Sequence, residues 1–105
     1  MQRKIKLSER ADAELSELES DPHFAGLLKQ VIKTIALLEG NPKHPGLHTH
    51  KFRSMQGAQG EEIFEAYVQN NTPGAYRVFW HYGPDEIAGK KRTPVISILA
   101  ITAHP

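Results

Sequence analysis

The spacing of apolar residues along the chain predicts alternating strands and helices. Short runs rich in β-branched and aromatic residues predict strands. Apolar residues that recur every three or four positions predict amphipathic helices. The order is strand, helix, helix and then strands: the strands are predicted at 4–7, 48–55, 61–69, 75–82 and 93–102, and the helices at 9–20 and 22–39. A turn at 70–74 joins two strands, and 83–92 is predicted to be a polar loop.

Local signals support the two helix boundaries. Ser8 is a typical N-cap residue, because its hydroxyl accepts from a free amide of the first helical turn. Asp21 followed by Pro22 predicts the start of the second helix, and Gly40 fits the position just past its end. The sequence therefore predicts an α+β fold of order β-α-α-β-β-β-β. Two N-terminal helices pack on one face of a mainly antiparallel sheet of four to five strands.

The most strand-like segment, 75–82, places two cationic side chains on one face of the sheet. Alternation puts Val78 and Trp80 on one face and Arg77 and His81 on the other. Two cationic side chains on one face of a strand are either paired with other groups inside the protein or part of a polar site. We interpret the face opposite the helices as an open, polar one.

Composition narrows the class of protein. With 105 residues, the chain is expected to form a single domain spanning 1–105. It has no cysteine, so thiolate metal sites and disulfides are ruled out. No apolar run approaches the roughly 20 residues of a membrane span, and no apolar signal segment opens the sequence. We therefore expect a cytoplasmic protein without membrane contact.

The net charge of +1 does not indicate any particular class of binding partner, but the charge is unevenly distributed along the chain. Between Asn41 and Gly60 there is no carboxylate, so this segment is locally cationic and able to attract phosphates. The alternative is a solvated loop that happens to be basic. The basic residues of this segment are Lys43, His44, His48, His50, Lys51 and Arg53.

Several segments resemble one known family. The hairpin that joins Ile-Phe-Glu-Ala-Tyr-Val at 63–68 to Ala-Tyr-Arg-Val-Phe-Trp at 75–80, and the apolar last strand followed by His104, resemble the RelE/ParE toxin superfamily. The resemblance extends from Ile5 to His104. It implies a toxin of a type II toxin–antitoxin pair, whose antitoxin partner covers its site. Many relatives are endoribonucleases (mRNA interferases) that cut mRNA on the ribosome, whereas the ParE branch inhibits DNA gyrase.

The resemblance assigns individual residues. Arg77 matches the arginine of the family's strand, and His104 matches a C-terminal histidine found in ribonuclease members. His50 lies where some relatives place a catalytic residue. Tyr67 departs from the pattern, because an arginine is common at that position.

Metal-independent RNA cleavage needs a base for the 2′-OH proton, a cation for the phosphorane and an acid for the leaving oxygen. His50 and His104 are candidates for proton transfer and Arg77 for the cation, because imidazole titrates near neutrality. Glu65 or Tyr67 could serve as an alternative base or a positioning group. No cofactor is implied. The predicted RNA-binding residues are His48, Lys51, Arg53, Lys90 and Lys91.

Other interpretations stay open at this point. Arg77 could pair with Glu65 across the hairpin, His104 could be a frayed terminal residue, and His81 could satisfy a backbone carbonyl. His48 and His50, with a third histidine, could bind zinc, although the spacing is loose. At the level of function, gyrase inhibition by protein contact and simple partner binding both compete with mRNA cleavage. Tyr67 and the modest charge favour these two alternatives.

Overall fold

Two helices pack on one face of a five-stranded sheet, as the sequence predicts. The computed structural model describes residues 3–69 and 74–104. Most of the predicted turn at 70–74 therefore lies outside the described residues. The elements in chain order are β1 (Lys4–Leu7), α1 (Glu9–Ser20), α2 (Ala25–Gly40), β2 (His50–Gln56), β3 (Glu62–Tyr67), β4 (Tyr76–Tyr82), β5 (Glu86–Ala88), β6 (Lys91–Thr93) and β7 (Val95–Ala103).

The strand order of the main sheet is β1-β7-β4-β3-β2. The first and last strands of the chain, β1 and β7, pair in parallel, and the other neighbours pair antiparallel. This arrangement confirms the predicted mainly antiparallel α+β architecture. It also places β7, the most apolar strand, in the interior of the sheet, where both of its faces are covered.

The predicted cap of α1 is present and also ties the helix to the sheet. Ser8 Oγ accepts from the amide of Ala11 at 3.0 Å and donates to the carbonyl of Leu99 at 2.8 Å. The start of the second helix differs from the prediction. Asp21 caps a 3-10 turn at Pro22–Phe24, and the α-helix begins only at Ala25. Within the described ranges, no helix is long and apolar enough to cross a membrane.

The main core lies between the helices and the sheet. Ala11 and Leu18 of α1 and Val31 and Leu38 of α2 are buried there. Val78 and Trp80 meet them from β4, so the alternation predicted for this strand is confirmed. The other core residues contributed by strands are Ala66, Ile96, Ile98 and Ile101.

The face opposite the helices is less open than the sequence suggests. From Lys51 to Gln56, β2 advances five residues while β3 advances two, from Phe64 to Glu62. The extra residues curl the edge strand over the sheet, since such an insertion bends the strand that carries it. Phe52 thereby packs on Phe79, with ring centroids 4.8 Å apart. A second, smaller core forms here from Ile63, Phe79 and Ala100, with Phe52, Met55 and Leu99 against it.

The predicted polar loop at 83–92 instead contains a two-stranded ribbon, β5 paired with β6. Ion pairs hold its base: Arg92 Nε lies 3.0 Å from Asp85 Oδ2, and Glu86 pairs with Lys4 and Lys6 of β1. The prediction of a loop was therefore wrong. Strands of three residues are too short to be recognised from the alternation of apolar and polar residues. The ribbon follows Tyr82 and therefore projects from the end of β4 opposite Arg77.

Candidate functional site

A buried carboxylate meets an exposed imidazole on the face opposite the helices. Glu65 lies on β3 and is 8% exposed, whereas the side chain of His104, just past β7, is 42% exposed. Glu65 Oε2 lies 2.9 Å from His104 Nδ1. The backbone amide of His104 also donates to the carbonyl of Ala75 at 2.8 Å, so this residue is anchored rather than frayed.

Because a carboxylate only accepts hydrogen bonds, the pairing assigns the Nδ1 proton of His104 to the bond with Glu65. Nε2 is then the ring nitrogen available for exchange with a substrate. The pair therefore has the geometry of an oriented proton donor or acceptor.

His50 belongs to the same cluster. It is the direct cross-strand partner of Glu65 in the β2–β3 pairing, so both side chains project from one face. The ring centroid of His50 lies 5.5 Å from that of Tyr67, and the ring of His48 lies 5.4 Å from it. Two imidazoles thus approach the ring of one tyrosine, beside the carboxylate of Glu65.

Arg77 lies beneath this tyrosine. Its guanidinium carbon sits 3.7 Å from the ring centroid of Tyr67, its direct cross-strand partner. Nη1 donates to the carbonyls of Gln69, at 3.2 Å, and Tyr76, at 3.0 Å. Arg77 is only 1% exposed, and its Nε has no hydrogen-bond partner in the part of the chain that the structure describes.

The interpretation that Arg77 pairs with Glu65 is wrong. Glu65 binds His104 instead, and no carboxylate of residues 3–69 and 74–104 lies within ion-pair distance of the guanidinium. A buried cation without a counter-charge is costly. Here the π face of Tyr67 and two carbonyl oxygens offset part of that cost.

The remaining candidates lie elsewhere. Lys51 pairs with Glu62 at 3.4 Å, and Arg53 is exposed further along β2. Lys90 and Lys91 are exposed on the β5–β6 ribbon, at the other end of the sheet from Arg77. From Arg77 to Tyr82 alone, the strand covers about 17 Å.

His81 does not join the cluster. It shares a face with Arg77, as predicted, but its Nδ1 lies 2.9 Å from the carbonyl oxygen of Tyr82. The interpretation of His81 as the partner of a backbone carbonyl is therefore confirmed. Its Nε2 points towards Glu61, with 4.0 Å between Nε2 and Oε2.

Zinc binding by His48 and His50 finds no third ligand. Among residues 3–69 and 74–104, no three histidine, aspartate or glutamate side chains come together as a group that could hold a metal ion. The two imidazoles flank Tyr67 instead.

Sequence reasoning missed two contacts. The stacking of Tyr67 on Arg77 had a usable signal, because the two residues lie five positions before and after Thr72, within the predicted turn. The pairing of Glu65 with His104 had none. It depends on the pairing of β4 with β7, in which Phe79 faces Ala100 but Trp80 faces Ile98, an irregularity that alternation does not reveal.

Comparison with known proteins identifies the fold. No protein-family model matches the chain, and no curated protein matches its sequence. A solved structure, the YoeB dimer from Staphylococcus aureus, matches over 100% of both chains with a TM-score of 0.60 and 10% sequence identity. The chain therefore shares the fold of this YoeB structure.

Proposed function

We propose that the protein is the toxin of a type II toxin–antitoxin pair and acts as a metal-independent endoribonuclease on ribosome-associated mRNA. The pairing of Glu65 with His104, beside His50 and above the stacked Tyr67 and Arg77, carries this proposal. The resemblance to the RelE/ParE superfamily and the fold shared with YoeB support it. Fold alone does not assign activity, so the residues of the site carry the proposal.

The proposed reaction uses the two histidines in turn. Neutral His50 takes the proton from the 2′-OH, whose oxygen attacks the adjacent phosphorus. The bond from phosphorus to the 5′-oxygen breaks, and the imidazolium of His104 gives its Nε2 proton to that oxygen. The products are a 2′,3′-cyclic phosphate and a 5′-hydroxyl. Glu65 is a positioning residue, because its hydrogen bond to Nδ1 holds the ring of His104 in place.

Arg77 acts on the phosphate through its charge rather than through direct contact. The ring of Tyr67 covers its guanidinium, and the low exposure of Arg77 leaves no room for a phosphate oxygen beside it. Electrostatic stabilisation still operates over such a distance in a partly desolvated site. Tyr67 is half-buried and offers the ring surface that faces the substrate.

The proposal implies three partners. The ribosome and its mRNA contact the cationic residues His48 beside Tyr67, Lys51 and Arg53 on β2, and Lys90 and Lys91 on the ribbon. A cognate antitoxin covers the open part of the second face of the sheet, the one opposite the helices. The reaction takes place in the cytoplasm, where ribosomes and mRNA meet.

Gyrase inhibition is the second candidate, and the burial of Arg77 favours it. A cation that is 1% exposed does not clamp a phosphate directly. In addition, α2 presents Ile32 at 54% exposure and the preceding turn presents Phe24 at 37%, a surface suited to protein contact. In this case the protein acts without RNA cleavage.

Induced expression in a bacterial host separates these functions. We expect growth arrest, with new RNA 5′ ends mapping to translated mRNA and bearing a 5′-hydroxyl. Purified protein should give the same cuts on programmed ribosomes with no metal ion added beyond the Mg²⁺ that the ribosome requires. Double-strand DNA breaks without RNA cuts would instead establish gyrase inhibition. If neither RNA cuts nor DNA breaks are found, simple partner binding is the function that remains.

A further inference from the structure

A cleft of about 440 Å³ opens on the sheet face opposite the helices, and its lining extends to Ala103, the residue before His104. The buried Phe79 and Ala100 form its floor. The ring of Phe52 belongs both to the cleft and to the surroundings of His104, since its centroid lies 6.5 Å from that of the imidazole. The other lining residues are Arg10, Ser54, Met55, Thr102 and Ala103.

The lining of the cleft suits a flat, partly polar ring. Phe52 is half-buried and rests on Phe79, with an angle of 58° between the two rings, so one ring supports the other. Ser54 and Thr102 supply hydroxyl groups at the sides. Aromatic surfaces of this kind bind unstacked bases of single-stranded RNA, and hydroxyl groups bind the edges of those bases.

A cation is fixed at the rim. Arg10 Nε lies 3.3 Å from Glu14 Oε2, and Glu14 Oε1 accepts from the backbone amide of Ile101 at 2.8 Å. Arg10 is therefore tethered through Glu14 to β7. The side chain of Arg10 remains 59% exposed, and its guanidinium offers donors to an anionic backbone that passes over the cleft.

We propose that this cleft binds the nucleobase of a nucleotide next to the scissile bond and so positions the RNA against His104. The inference rests on the proposed nuclease function, because His104 is the reacting group that the cleft adjoins. The base stacks on Phe52, and the backbone of the same nucleotide meets Arg10. The cleft thereby sets which phosphate reaches the two histidines.

The test uses a short RNA that carries the fluorescent base 2-aminopurine beside a single 2′-deoxynucleotide, which blocks cleavage. Stacking quenches this base. Ala103→Phe fills the cleft from its rim, and Phe52→Leu removes the stacking ring while it keeps an apolar contact with Phe79. Ala36→Phe, on the exposed side of α2, is the matched control. Thermal unfolding identifies a variant that fails to fold.

We expect the wild type and Ala36→Phe to quench the probe with equal affinity, and Phe52→Leu to bind at least about tenfold more weakly. Ala103→Phe, if folded, should do the same. No quenching by the wild type, or equal quenching by wild type and Phe52→Leu, would overturn the cleft proposal. Cleavage of mRNA on programmed ribosomes by the wild type is measured in parallel. Loss of quenching only in the cleft variants, without wild-type cleavage, would support the cleft and refute the nuclease.

Discussion

Glu65 Oε2 and His104 Nδ1 lie 2.9 Å apart, although 39 residues separate them in the chain. The contact crosses one strand, β4: Glu65 on β3 faces Phe79 on β4, and β4 in turn pairs with β7, which ends beside His104. An almost fully buried carboxylate thus fixes an imidazole at the surface. An oriented proton donor requires this difference in burial, because the carboxylate must be shielded from water while the imidazole ring remains accessible to a substrate.

Substitution of either member of this pair should impair RNA cleavage. We expect His104→Gln to lower the rate by about 10²–10⁴-fold, since general acid catalysis contributes that much. Glu65→Gln keeps an oxygen acceptor but loses the charge, so a smaller loss of at least about tenfold is expected. The measurement is single-turnover cleavage of mRNA on programmed ribosomes.

The matched control for this pair is His23→Gln, because the His23 side chain is 94% exposed. It should cleave at the wild-type rate. His104→Gln should remain folded at the assay temperature, because the side-chain amide of glutamine can still donate a hydrogen bond to the buried carboxylate of Glu65. Undiminished cleavage by both His104→Gln and Glu65→Gln would remove the assigned roles.

The ring of Tyr67 should stabilise the fold through its contact with Arg77. Tyr67→Leu is expected to lower the free energy of unfolding by about 1–2 kcal/mol, because the buried guanidinium loses its π partner. Tyr67→Phe keeps the ring and should stay within about 0.5 kcal/mol of wild type. Urea titration measures both values. Equal stability of the Leu and Phe variants would show that the stacked contact contributes nothing.

The hydroxyl of Ser8 should matter for stability more than that of an ordinary surface serine. Ser8→Ala removes both the cap on Ala11 and the bond to Leu99, so we expect a loss of about 1–2 kcal/mol. Ser16→Ala, at an exposed position of the same helix, should change stability by less than about 0.5 kcal/mol. Similar losses at both positions, measured by thermal or urea unfolding, would contradict the assigned role of the cap.

Two carboxylates should make the protein less stable in acid. Backbone amides of Glu61 and Gln59 hold the pKa of Glu61 below its ordinary value of 4.5. Hydrogen bonds from Lys6 and Lys4 do the same for the pKa of Glu86. Because each pKa is lower in the folded state, the stabilisation is complete above pH 4.5 and is lost as the pH falls from there through the folded-state pKa.

The double variant Glu61→Gln, Glu86→Gln should therefore lose less stability on acidification than the wild type. The unfolding temperature between about pH 3 and pH 7 measures this difference. Glu9→Gln with Glu17→Gln, two exposed positions on α1, is the control and should follow the wild-type curve. Parallel curves for wild type and the first double variant would rule out both stabilising interactions.

Much of the fold follows from local patterns that need no knowledge of tertiary contacts. The period of two in β4 places Val78 and Trp80 against the helices, and the cap at Ser8 marks the start of α1. The approximate symmetry of the predicted turn also sets Tyr67 opposite Arg77. These features depend on residues that are close in sequence, so the sequence encodes them directly.

The other features depend on irregularities that no periodic pattern contains. The extra residues in β2 bring Phe52 over Phe79 and turn an expected polar face into a partly apolar one. The burial of Arg77 is likewise invisible in sequence, where an arginine beside aromatic residues predicts an exposed cation as readily as a covered one. The candidate site was therefore predicted as a set of residues, while the function of each depends on how the strands deviate from regular pairing.

β1 and β7 pair in parallel, with Lys4 opposite Val95. β1 therefore has no strand to pair with until β7 has been synthesised. β4 gains its second neighbour, and Glu65 its imidazole, only when β7 is in place. A nonsense or frameshift mutation anywhere upstream of Val95 should thus yield a chain that cannot complete the sheet, rather than a folded protein with a weakened site. Under the toxin function proposed above, host cells that survive expression of this gene are expected to carry such mutations at any position before the codon for Val95, not only at the codons for the site.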